Sequence, residues 1–148
     1  MEWLGRPDPV QPKPEGEPTH TDIITQEFAE VKIAVAVLLK LLANKEDSNL
    51  IIDLRHTLQD VSAFASEFIK SSRVMVPQVT AEAVEDLKKR GILGLLEDII
   101  NHLLTIEEHT QKLNEGTTGR RILESFLSRY KYPLKRFLEE LRGPEQGS

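Results

Sequence analysis

A seven-residue apolar rhythm recurs in four separate stretches of this 148-residue chain. Ile24, Phe28, Val31, Val35, Leu38 and Leu42 step alternately by four and three, as do Ile51, Leu54, Leu58, Val61, Ala65 and Phe68. The rhythm returns at Ile92, Leu96, Ile99, Leu103, Ile106 and Leu113, with Thr110 in one slot, and again at Leu123, Leu127, Tyr130, Leu134, Phe137 and Leu141. Such spacing puts each set on one stripe of a helix, and an apolar stripe has to be covered by another element. Four stripes of similar length cover one another in a bundle. No strand-like alternation competes with this reading. The sequence therefore predicts an all-α fold: an antiparallel bundle of four long helices plus one short connecting helix, preceded by a disordered proline-rich N-terminal tail.

The predicted boundaries are 1–20 for the tail, 21–142 for the bundle and 143–148 for a C-terminal tail. Five of the eight prolines fall in residues 1–20, beside Glu2, Asp8, Glu15 and Glu17. A segment so poor in apolar side chains does not bury enough surface to offset its ordering entropy. Arg6-Pro7-Asp8-Pro9-Val10-Gln11-Pro12 fits the R-x-x-P-x-x-P pattern of polyproline ligands. Trp3, the single tryptophan, and Leu4 are candidate partner-binding residues.

Polar punctuation places the helices. Thr21 or Asp22 is the expected cap of the first, which runs to about Asn44. Asp47 or Ser48 caps the second, from Asn49 to about Ser71. Residues 73–79 read as irregular, with Pro77 disfavouring helix at Val76. Thr80 caps a short helix that Gly91 ends or bends into the next. The third long helix spans about Ile92 to Asn114 and stops at Gly116, and the fourth spans Thr118 to Arg142 before Gly143-Pro144. Pro133 lies inside the fourth, where it removes a backbone donor and is expected to kink or break the helix.

The first helix carries a second apolar stripe, Ile33, Val37 and Leu41. Either the short helix covers it or another subunit does, since an exposed strip of that length is a contact surface. These three residues are taken as the expected partner-binding face. The function expected from the sequence is thus a non-enzymatic helical scaffold, adaptor or regulatory subunit that works by protein–protein contact and self-associates as a homo-oligomer.

The formal net charge of −5 argues against a general nucleic-acid binder. Yet acids collect in residues 92–116 and cations in 117–142, so an acidic and a basic helix are expected side by side. If the cations of the last helix were free instead, Arg120, Arg121, Arg129, Lys131, Tyr132, Lys135 and Arg136 would form a nucleic-acid or phosphate surface. That is the alternative function. Tyr130 falls in the apolar seam, which leaves Tyr132 as the candidate stacking residue.

Other chemistry finds little support. The absence of cysteine excludes a disulfide framework, a thiol nucleophile and thiolate zinc sites. The serines lack a base at helical spacing, and no Gly-rich phosphate loop or G-x-S-x-G elbow occurs. His102 with Asp98, and His56 with Asp60, sit four apart; a mixed carboxylate–imidazole site between the two helices is the alternative to the expected simple pairing of surface histidines with acids. Neither a metal nor a cofactor is expected, and no catalytic residue is assigned. The most apolar stretch, Val31–Ala43, holds Lys32 and Lys40 and falls short of the roughly 20 apolar residues of a membrane span. The first residues show neither a basic start nor an apolar run, so a cytoplasmic location is expected.

Overall fold

The computed structural model describes residues 19–72, 74–76 and 78–143. The expectations for Trp3, Leu4, the polyproline pattern, Pro77 and Pro144 lie outside the described residues. Five helices account for most of the rest: α1 (His20–Leu42), α2 (Asn49–Lys70), α3 (Ala81–Lys88), α4 (Gly91–Thr110) and α5 (Thr118–Arg142). No strand occurs among the described residues.

Caps set most of the boundaries. Ser48, Thr80 and Thr117 each accept from a backbone N–H three residues on, at the start of α2, α3 and α5. The first helix is capped by Thr19 rather than by Thr21 or Asp22. Thr19 Oγ1 accepts from Asp22 N at 3.0 Å while Asp22 Oδ2 accepts from Thr19 N at 3.1 Å. This reciprocal pair satisfies two otherwise orphaned donors, which neither alternative does alone. At Gly91 φ is +75°, a left-handed turn that separates α3 from α4. The α4 helix ends four residues earlier than expected, because Lys112 N and Leu113 N bond to the carbonyls of His109 and Thr110 in tighter three-residue turns.

Side-chain pairs give the directions. His20 meets His109 and Glu27 meets His102, so α1 and α4 are antiparallel. Arg55 reaches the Leu42 carbonyl while Thr25 reaches Ser72, so α1 and α2 are antiparallel. Lys131 pairs with Glu107 and Arg142 with Glu97, so α4 and α5 are antiparallel. The α1 helix packs most extensively on α4 and then on α2, α5 packs mainly on α4, and α2 and α5 touch only lightly. The ring order is therefore α1–α2–α5–α4, with α1 facing α5 across the core where the Phe28 and Phe126 rings meet at 5.4 Å.

In this ring α2 and α4 run the same way on opposite corners, so the chain between them has to cross the bundle. It crosses over α1, with α3 lying on α1 and at the edge of α4. That crossing runs beside the second apolar stripe, where Val76 and Val79 border a depression with Ile33. Val37 is 3% exposed, while Ile33 and Leu41 are half-buried. The assignment of Val37 to a face offered to another subunit is thus corrected: its own chain covers it.

The heptad slots form the core. All six of α1 are buried, as are Leu54, Leu58, Leu96, Leu103, Leu123 and Leu134. Thr110 fits its slot at 1% exposure because its hydroxyl donates to the Ile106 carbonyl at 2.7 Å. The α5 helix is continuous across Pro133, with Leu134 and Phe137 buried just beyond it, so the expected break does not occur.

Two outcomes follow from this packing. Val37→Glu buries an unpaired charge and should cost more than about 3 kcal/mol. Circular dichroism should show an unfolded chain, and light scattering should not show a folded monomer released from an oligomer. Pro133→Ala restores the donor that the Arg129 carbonyl lacks and should stabilise the chain by about 1–3 kcal/mol. The urea midpoint should rise with its slope unchanged.

Candidate docking groove

The lightly packed α2–α5 edge leaves a groove of about 400 Å³. Its floor is aromatic. Phe64 of α2 and Phe126 of α5 stack with centroids 4.2 Å apart and planes 16° from parallel, and Tyr130 tilts against Phe126 at 5.3 Å. Phe28 and Phe68 support this layer from beneath and beside, with Phe28 at 5.6 Å from Phe64 and 5.0 Å from Phe68. Offset and tilted rings at these separations stabilise one another beyond their buried area. The α5 wall presents Ile122, which is 48% exposed, and the hydroxyls of Thr118 and Ser125.

Arg121 and Arg129 stand on the same wall. They lie four residues either side of Ser125 and so share one line along α5. Neither has an ion pair among the described residues. This sets them apart from most of the other cations of α5. Arg120 is held by Glu124 at 2.9 Å and by the Leu113 carbonyl at 2.8 Å. Lys131 donates to both Glu107 oxygens at 2.9 Å and is 12% exposed. Arg136 lies 3.9 Å from Glu140. Lys135 has no ion pair among the described residues and lines a separate depression with Glu97 and Glu139 between α4 and α5. Tyr132 is 65% exposed, on the far side of Lys131, whose ammonium sits 5.1 Å from its ring centre. The seven residues therefore do not form one continuous surface.

Ile33 lines a different, more apolar depression on the opposite side, with Ala36, Ile69, Val76 and Val79. Leu41 packs against the core from a half-buried position.

His102 takes another partner than Asp98. His102 Nδ1 lies 2.6 Å from Glu27 Oε1, across the α1–α4 seam, and Asp98 instead takes two hydrogen bonds from Arg90 at 2.9 and 2.8 Å. Those bonds, and then the carboxylate's charge, hold the Arg90 guanidinium above its ordinary pKa. His20 and His109 share a hydrogen bond between their Nδ1 atoms at 2.8 Å, so one ring donates and the other accepts. Among the described residues no three histidines or carboxylates converge as metal ligands, and no helix is long and apolar enough to cross a membrane.

Phe64, Phe126 and Ile122 were not singled out by the sequence. Each adjoins a heptad slot or lies one step from it, beside Ala65, Leu127 and Leu123, and so reads as a mere widening of the stripe. The available signal was that aromatic widening occurs on both α2 and α5. Comparison of the chain with protein-family models, curated proteins and solved structures finds no match.

Salt-bridge geometry separates fold from surface on α5. Lys131→Met leaves Glu107 half-buried without its donor and should cost about 1–3 kcal/mol. Arg121→Ala and Arg129→Ala should each change stability by no more than about 0.5 kcal/mol. Paired chemical denaturation curves check both statements.

Proposed function

We propose that this protein is a non-enzymatic helical adaptor or regulatory subunit that holds a partner protein in the α2–α5 groove. One observation carries the reading: half-buried Phe64 and Tyr130 and half-exposed Ile122 line a surface groove over the buried Phe126, beside two arginines that have no ion pair among the described residues. Interface centres combine these features, apolar aromatic anchors with arginine and few other charges. The aromatic floor supplies affinity by burial, and the paired cations supply orientation.

Nucleic-acid binding is the weaker reading. Arg120, Lys131 and Arg136 are engaged with acids, which leaves few free cations to neutralise phosphates. Self-association through the α1 stripe loses its main anchor, because Val37 is covered.

A photo-crosslinking side chain at Ser125 tests the proposal in cells. A discrete protein adduct is expected, absent when the same group replaces Asp53 on the exposed side of α2, and lost in the Arg121→Glu/Arg129→Glu background. Adducts to nucleic acid alone, or equal labelling from both positions, would overturn it.

A further inference from the structure

We infer that the occupant of the α2–α5 groove is an amphipathic helix of another protein, with acidic side chains about two turns apart on one flank. This rests on the docking reading proposed above and names the chemistry of the partner. The first argument is shape. The groove follows α5 from Thr118 to Tyr130, a run of about 18 Å at the helical rise, and Phe64 of α2 borders it on the other side. A helix lying in such a channel presents apolar residues at i, i+3 or i+4, and i+7 to the floor. Half-buried Phe64 and Tyr130 with half-exposed Ile122 are the receiving surface, backed by the buried Phe126.

The second argument is charge. Arg121 and Arg129 stand eight residues apart, about 12 Å along the axis. The other cations of α5, apart from Lys135, have acids of this chain within reach. A helix bearing carboxylates seven or eight residues apart meets both guanidinium groups at once, and its apolar stripe then faces the floor. Arginine forks favour carboxylates in a fixed plane, so the pair also sets which way the helix lies.

A second copy of the chain fits less well. Symmetric pairing of groove on groove brings Arg121 and Arg129 of one molecule against the same residues of the other, and like charges oppose it.

The test uses the full chain and two fluorescent peptides of about 14 residues, long enough to span the groove. Both carry the same leucine and phenylalanine stripe. One has glutamates two turns apart on its flank, and the other has lysines there. A third peptide scrambles the glutamate sequence. Anisotropy at physiological ionic strength, about 0.15 M, should show the glutamate peptide binding at least ~10-fold more tightly than either control. Arg121→Glu/Arg129→Glu should reverse the preference, with circular dichroism confirming that the variant is folded. The glutamate peptide should gain helicity on binding.

Equal binding of the glutamate and lysine peptides overturns the acidic partner. Equal binding of the scrambled peptide overturns the helix. No binding of any peptide overturns the inference as a whole. In each case a Ser125 protein adduct that depends on the two arginines would leave the docking reading standing. Tighter binding of a single-stranded oligonucleotide through the same arginines overturns both. So does a doubling of mass in light scattering that the double variant abolishes, since it assigns the groove to a second copy.

Discussion

The burial of α1 on three sides is the constraint from which the rest of the bundle follows. A helix apolar around most of its circumference has to be covered wherever it faces water. Its heptad seam faces the core, α2 and α4 flank it, and the crossing segment with α3 closes the face that Val37 occupies. The direction of the helices demands that crossing. The α2 and α4 helices run parallel on opposite corners, so their connection passes over one of the two remaining helices. Only α1 offers an apolar outer face to receive it. Topology and burial are thereby satisfied by the same segment.

The α5 helix receives no comparable cover. Its outer face is polar, and its single apolar stripe is spent on α4 and the core. The α2–α5 edge is left underfilled, with Phe64 and Phe126 stacked at its bottom. The groove is thus a consequence of where the apolar surface lies: generous on α1, narrow on α5.

Much of this was legible in the sequence, because periodicity is a local property. The six α1 slots are buried as the spacing implies, and even the polar Thr110 keeps its slot by bonding to its own helix. What the sequence hid depends on register between helices. Asp98 lies one turn from His102, but the antiparallel fit of α1 on α4 brings Glu27 closer, and Arg90 claims Asp98. Thr19, Thr21 and Asp22 all resemble caps, and the reciprocal bond of the first with the third decides the start. The groove was the least legible feature. Phe64 and Phe126 read as widened stripes until one knows that α2 and α5 are neighbours and that their edge is the loosest of the ring.

Charge on α5 divides in the same way. Facing α4, Lys131 and Arg142 meet Glu107 and Glu97, so the expected pairing of acidic and basic helices holds along that seam. Turned from it, Arg121 and Arg129 meet no acid among the described residues, and the positive character of the helix survives beside the groove. Two exposed arginines that pair with no described acid add almost nothing to folding. Ile122, about half exposed, leaves part of its burial energy unrealised, out of roughly 1.5–3 kcal/mol for full burial. The groove wall is therefore separable from the fold: substitution there changes what the surface meets without opening the core, whereas substitution at Val37 opens the core. That separation is what allows a binding role for the groove to be measured on a folded chain.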